Sequence, residues 1–152
     1  MGKMKKAFTL IELLVVISLL GILATLVLAN LTSARQRGRD VQRKSDLRNI
    51  TTALRLYYND YGKYPASATG EILGCGDGLG TCVWGEIWTA KSVIYMSTLP
   101  PDPLSAQSYQ YERLDLDSFR LLACLENASD EDGKAEAGID CDSNWMYEAV
   151  MQ

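Results

Sequence analysis

A single acidic residue, Glu12, lies inside an otherwise apolar stretch of 24 residues, Phe8 to Leu31, with the sequence FTLIELLVVISLLGILATLVLANL. A carboxylate costs about 2.5–3.5 kcal/mol at the centre of a bilayer and less near the headgroups, so Glu12 needs either a shallow position or a cation. Cleavage of the chain before Phe8 would supply that cation, an α-amino group four residues before Glu12. The amine of one subunit could then neutralise the glutamate of a neighbour, which would favour bundled helices over single ones in lipid.

A second chemically distinctive stretch is the acidic segment CLENASDEDGKAEAGIDC, which begins at Cys124 and ends at Cys141. Six acidic residues oppose one lysine, so the segment carries a charge of −5. The acidic residues are Glu126, Asp130, Glu131, Asp132, Glu136 and Asp140, and the lysine is Lys134. A hard cation with about six to eight oxygen ligands would relieve their repulsion. The alternative is a solvated acidic loop closed by a disulfide.

Calcium ligation has partial support from the spacing of residues at the end of this segment. Asp140, Asp142 and Asn144 stand at alternate positions, as in the first half of an EF-hand loop. The second half of that motif is missing, because Trp145 stands where glycine is needed and Met151 where glutamate is needed. The candidate calcium ligands are Asp130, Asp132, Asp140 and Asp142.

The four cysteines, Cys75, Cys82, Cys124 and Cys141, form no CxxC pair, and the chain contains no histidine. Zinc sites are commonly built from closely spaced cysteines and histidines, so this composition favours disulfides in an oxidising compartment over a metal. Four cysteines allow three pairings, and the sequence leaves the choice open. The local pairings are Cys75 with Cys82 and Cys124 with Cys141.

No catalytic constellation is recognisable in the sequence. The chain lacks histidine for general base chemistry and has no GxSxG or P-loop motif. The glycine-rich segment GCGDGLGTC has neither GxGxxG nor Walker spacing, which argues against a phosphate site. We predict a protein that is not an enzyme, with a disulfide-pinned surface loop at this segment.

Charge divides the chain into two unlike parts. Residues 1–48 contain nine basic and three acidic residues, a net charge of +6, whereas residues 49–152 contain six basic and sixteen acidic residues, a net charge of −10. An acidic second part argues against nucleic acid as a partner. The two opposite charges would give copies of the protein complementary surfaces for association.

The apolar stretch is long enough to cross a membrane as a helix. At about 1.5 Å per residue it spans about 36 Å, which exceeds the ~30 Å thickness of the hydrocarbon core. A cleaved secretory signal is the alternative, because lysines precede the stretch and the tripeptide ending at Ala29 resembles a cleavage site. The length of the stretch and the charge of Glu12 favour the transmembrane interpretation.

A helix is predicted to continue beyond the apolar stretch. Apolar and aromatic residues recur at steps of three and four, which is typical of an amphipathic helix. They are Leu47, Ile50, Leu54, Tyr57, Tyr58 and Tyr61. Gly62 is the predicted C-terminal cap, and Pro65 prevents further helix. We therefore expect one helix of about fifty residues.

The segments SYQYERL and SFRLLACLE alternate in polarity, which predicts two paired antiparallel strands. Their apolar face would carry Phe119, Leu121, Ala123 and Leu125 and would pack on the helix. The predicted fold class is α+β, with a long N-terminal helix packed on a small antiparallel sheet. Such a small head buries a limited core, which two disulfides would help to stabilise.

The segment KKAFTLIELLVVISLLGILATLVLANL resembles the N-terminus of type IV prepilins and of the pseudopilins of type II secretion. The resemblance implies cleavage by a prepilin peptidase between Ala7 and Phe8, N-methylation of Phe8 and a role for Glu12 in assembly. Ala7 stands where the family usually has glycine. The segments ALRLYYNDYGKYP and LPPDPLSAQSYQY resemble those of the major pseudopilin, whose fold is pilin-like, and such proteins carry a calcium site in their C-terminal loop.

The resemblance implies four segments: a leader at 1–7, a transmembrane half-helix at 8–31, an amphipathic half-helix at 32–62 and a head at 63–152. It also implies a single-pass protein of the bacterial inner membrane, with its head on the periplasmic side. Copies would assemble into a helical filament with the help of an assembly platform and its ATPase. The sequence leaves open a type IV pilus instead of a secretion pseudopilus, and a single-pass anchored module that binds calcium or another ligand.

Overall fold

The computed structural model describes residues 8–135, 141 and 144–151. Within them, helix α1 spans Leu10–Tyr61 and precedes nine short strands. The strands are β1 (Ala66–Ala68), β2 (Glu71–Cys75), β3 (Gly80–Thr81), β4 (Trp88–Ala90), β5 (Val93–Met96), β6 (Gln110–Arg113), β7 (Phe119–Cys124), β8 (Lys134–Ala135) and β9 (Trp145–Met151). The predicted α+β class, with one long N-terminal helix and small antiparallel sheets, is confirmed.

The chain divides into two compact units, residues 1–36 and residues 37–152. In the first unit, the large apolar side chains described between Phe8 and Leu31 are exposed. Among the described residues, α1 is the one helix that is long and apolar enough to cross a membrane. The first unit therefore has a surface that lipid or other helices would cover.

The second unit contains the rest of α1 and all nine strands. One face of this part of the helix is buried by the core, through Leu47, Ile50, Leu54 and Tyr57. Leu56, between two of them, lies on the opposite face and is half exposed. The predicted amphipathic pattern is thus confirmed for these positions.

The helix ends as its sequence predicts. Gly62 has a positive φ of 65°, a conformation that glycine adopts without steric cost. Its N–H donates a hydrogen bond of 2.7 Å to the carbonyl oxygen of Tyr58, which closes the last turn. Pro65 follows and begins the path of the chain into β1.

The described residues of the head form three antiparallel sheets, in the orders β1-β2-β3, β4-β5 and β6-β7-β9-β8. The predicted pairing of β6 with β7 is confirmed, with Arg113 opposite Phe119 and Gln110 opposite Leu122. Phe119 and Leu121 are fully buried in the main core, as expected for that face.

Strand β9 was not predicted, although it is a central strand of the largest sheet. It pairs with β7 along six residues, from Phe119 opposite Met151 to Cys124 opposite Met146. Met146 is fully buried in a second, smaller core cluster together with Leu122 and both cysteines of the nearby disulfide. Strand β8, which lies inside the acidic segment, pairs with β9, so the described part of this segment is joined to the largest sheet.

Both disulfides join cysteines that are close in sequence, Cys75 with Cys82 and Cys124 with Cys141. The prediction of disulfides is confirmed, and the structure decides among the three pairings. The glycine-rich segment between Cys75 and Cys82 forms the hairpin of β2 and β3, so it is a strand pair and not only a surface loop.

Candidate assembly site and charged contacts of the head

The N-terminal end of α1 is closed by reciprocal hydrogen bonds between Thr9 and Glu12. The backbone N–H and the hydroxyl of Thr9 both donate to Oε2 of Glu12, at 2.9 and 2.8 Å. The backbone N–H of Glu12 donates to the hydroxyl oxygen of Thr9 at 3.3 Å. This is a capping box, in which an N-cap threonine and a glutamate three positions later satisfy free donors of the first helical turn.

The capping box turns the carboxylate of Glu12 back towards the start of the chain. Helix N-termini favour negative charge, and here that charge lies at the same end as Phe8, the predicted first mature residue. Phe8 and Glu12 line a shallow, mostly apolar groove together with Ile11, Val15 and Val16. Ala7 lies outside the described residues, so its role in processing stays a prediction.

Sequence reasoning identified Glu12 and missed Thr9. The signal was present, because threonine followed three residues later by glutamate before an apolar run is the pattern of a capping box. The pairing of Glu12 with an amine of another subunit is not tested by a single chain and stays a prediction.

In the second unit, Arg43 is fully buried and surrounded by acidic side chains. Its Nε and Nη2 donate to the two carboxylate oxygens of Asp102, at 2.8 and 2.9 Å. Its Nη1 donates to Asp40 at 2.8 Å and to Glu126 at 2.9 Å. A buried charge is tolerated only when it is paired and hydrogen-bonded, and here all three guanidinium nitrogens have a carboxylate acceptor.

The acceptors of Arg43 are themselves held by further bonds. Asp40, which is also buried, accepts the backbone N–H groups of Glu126 and Asn127 at 3.0 and 2.9 Å. Arg39 binds both carboxylate oxygens of Glu126, at 2.7 and 2.6 Å. We call Arg39, Asp40, Arg43, Asp102 and Glu126 the arginine cluster. It connects α1 to the segment after β5 and to the beginning of the acidic segment.

Lys44, next to the arginine cluster on α1, binds the acidic segment. Its ammonium lies 2.5 Å from Oδ1 of Asp130 and 2.8 Å from Oδ2 of Asp132. These are two of the four candidate calcium ligands, and the other two, Asp140 and Asp142, lie outside the described residues. In the part of the chain that the structure describes, no group of three side chains could hold a metal ion. Asp130 and Asp132 both bind Lys44 and by themselves supply fewer oxygen ligands than calcium needs, so the four-aspartate site stays a prediction.

Some of the opposite charges in the sequence thus form ion pairs within the same chain. Arg39, Arg43 and Lys44 belong to the basic first part of the chain, yet each binds acidic residues of the same chain. Arg48, in contrast, is exposed. Association of copies through opposite charges stays a prediction, and these three residues are not available for it.

Two carboxyl groups in or near the arginine cluster have pKa values that shift in opposite directions. The hydrogen bond from Arg39 lowers the pKa of Glu126, and Arg43 adds to the effect against the opposing influence of burial. Burial raises the pKa of Asp46, although the Tyr109 hydroxyl donates a hydrogen bond of 2.8 Å to it. Burial also raises the pKa of that tyrosine.

Comparison with known proteins identifies the N-terminal segment first. Residues 2–28 match the family model of the prokaryotic N-terminal methylation motif. The chain is 30% identical over 152 residues to the type II secretion system core protein G of Vibrio cholerae serotype O1, a similarity that covers 95% of this chain and 96% of that protein. The chain belongs to the type II secretion core protein G family. The family predicted from the sequence is confirmed.

Other members of the core protein G family are similar over a shorter length. The protein of Pectobacterium carotovorum is 36% identical over 69 residues, and that of Aeromonas hydrophila is 38% identical over 66 residues. These similarities cover 44% and 46% of the two proteins, so the chain matches less than half the length of these relatives. No solved structure matches this chain.

Replacement of Arg43 by methionine is expected to lower the free energy of unfolding of the head by about 3–5 kcal/mol, because it leaves the buried Asp40 and Asp102 without their cation. Denaturant titration of the full chain in detergent, followed by tryptophan fluorescence, measures the change. The matched control is Arg48→Met at an exposed position of the same helix, with an expected change within about 0.5 kcal/mol. Equal effects of the two variants would contradict a stabilising role of the arginine cluster.

The depressed pKa of Glu126 makes the head sensitive to acid. A carboxyl group with a lowered pKa in the folded state contributes stability above its unfolded pKa and loses it as the pH falls through the folded value. Glu126→Gln should therefore melt well below the wild type at neutral pH, and the difference should narrow in acid. Asp46, whose pKa is raised, changes stability in the opposite direction in both proteins and cancels in the comparison. A difference in melting temperature that stays constant with pH would contradict the assignment.

Proposed function

We propose that this core protein G homologue is a structural, non-catalytic subunit of a membrane-assembled, pilus-like filament of the type II secretion system. The apolar surface of residues 8–31 carries the proposal, because it has one carboxylate at its start and its described apolar side chains are exposed. Such a surface is stable in lipid or against the helices of other copies. The relatives are type II secretion system core proteins G, which favours this filament over a type IV pilus.

Processing would come first in this function. A prepilin peptidase would cut between Ala7 and Phe8, and Phe8 would then be N-methylated. The start of α1 supports cleavage at this point, because the helix begins at Leu10, beyond the proposed scissile bond.

Assembly would follow from the pairing of Glu12 with the new amine of a neighbouring subunit. The protomer would stand in the bacterial inner membrane with its head on the periplasmic side, and an assembly platform with its ATPase would add subunits from the membrane. The capping box supports this role, because it keeps the carboxylate at the end of the helix where the amine of another copy can reach it. An anchored module that acts as a monomer is the alternative from another class.

The mature protein extracted from membranes is expected to begin at Phe8 and to carry one methyl group on its amine. Mass spectrometry of the intact protein and of its N-terminal peptide measures both. A chain that retains residues 1–7 would contradict the filament proposal and favour the anchored module.

Replacement of Glu12 by glutamine separates its two roles. Glutamine also serves in a capping box, so the start of the helix should remain, whereas the charge is lost. We expect the yield of filaments to fall at least about tenfold, the factor that corresponds to about 1.4 kcal/mol of association free energy. The control is Ser18→Ala, which removes another polar group of the apolar segment. The Ser18 hydroxyl donates a hydrogen bond to the carbonyl oxygen of Leu14 and carries no charge. Normal filament yield from Glu12→Gln would show that the charge is not needed.

A further inference from the structure

The acidic segment binds a cation that α1 supplies. Lys44 reaches it from α1, and its side chain is only 13% exposed. An ammonium group has three donors, and here two of them face Asp130 and Asp132. The ring of Tyr147 lies on a further side, with its centroid 5.6 Å from Nζ, within the range of a cation–π interaction. Protein groups therefore replace most of the hydration of this ammonium.

Several contacts within and around the acidic segment involve Asp130. The same Oδ1 that binds Lys44 also accepts the backbone N–H of Asp132 at 3.0 Å. The backbone oxygen of Asp130 accepts the indole N–H of Trp145 at 3.3 Å. Gly133 makes room for that indole, because a Cβ at this position would lie 1.8 Å from its nitrogen. The contact with Lys44 is thus part of a folded arrangement and not an isolated surface pair.

Calcium would compete with Lys44 for the same oxygens. Calcium needs about six to eight oxygen ligands, several of them from carboxylates. To use Asp130 and Asp132, it would have to displace an ammonium that is mostly buried and leave that charge without a partner, which is costly. The described residues therefore favour the lysine over a metal as the source of positive charge.

We propose that Lys44 is the built-in counter-ion of Asp130 and Asp132 and holds this described part of the acidic segment folded without a divalent cation. The segment contains β8, which pairs with β9, a central strand of the largest sheet. The inference concerns the head alone and does not depend on filament assembly, so either proposal can fail without the other.

The first test compares melting temperatures of the wild-type full chain in detergent, in excess Ca²⁺ and in excess chelator. A ligand that binds only the folded state raises its stability, so a calcium site would appear as a higher melting temperature in Ca²⁺. We expect no difference. A clear rise in Ca²⁺ would overturn the proposal.

The second test removes the cation. Lys44→Gln should lower the melting temperature by about 4 °C in chelator, whereas Lys44→Arg, which keeps the charge, should recover most of it. The control is Lys63→Gln at an exposed lysine just after the helix, which should melt like the wild type. Equal melting of Lys44→Gln and Lys63→Gln would overturn the proposal.

A double variant keeps the test interpretable if Lys44→Gln folds poorly. Asp132→Asn removes one carboxylate that faces the ammonium and is itself mostly exposed, so it should be tolerated. In that background, Lys44→Gln should cost less than it does alone, because less negative charge then needs compensation. Additive effects of the two substitutions would show that Lys44 does not act through this carboxylate and would count against the proposal.

Discussion

The buried guanidinium of Arg43 is the constraint on which the arrangement of the head depends. Its donors are satisfied only when Asp102 from one segment and Glu126 from another reach α1 together. Removal of either partner would leave a charge in the protein interior, which costs far more than the loss of an exposed ion pair. We interpret the arginine cluster as the feature that fixes how these segments dock on the helix, while the apolar core supplies most of the driving force for folding.

One helix contains residues suited to two different environments. In residues 37–61, an apolar face is covered by the strands of the same chain, and the opposite face is polar or half exposed. In residues 8–31, the described apolar side chains are exposed on all sides of the helix, so no single packed face could cover them. The apolar face of residues 37–61 is thus buried within the protomer, whereas the apolar part would need lipid or other helices around it.

Basic residues after the apolar part form ion pairs with acidic residues of the head within one chain. Arg39 and Arg43 bind the start of the acidic segment, and Lys44 binds its middle. All three cations come from two turns of the helix, and their acidic partners come from loops, except for Asp40, which lies on the same helix. These ion pairs fix the positions of loops that lack extensive backbone pairing. They also limit the repulsion between the acidic side chains of the segment.

The sequence by itself determined the features that depend on near neighbours: the apolar stretch with Glu12, the amphipathic helix that ends at Gly62, and the pairing of β6 with β7. Only the tertiary structure decided the choice of disulfides, the position of β9 and the charged contacts of the helix. The physical reason is distance along the chain. Caps and periodic faces arise within a few residues, whereas Arg43 meets Asp102 across 59 positions and Lys44 meets Asp132 across 88. In the sequence, nothing distinguishes these partners from the many other acidic residues, and only folding brings them next to their cations.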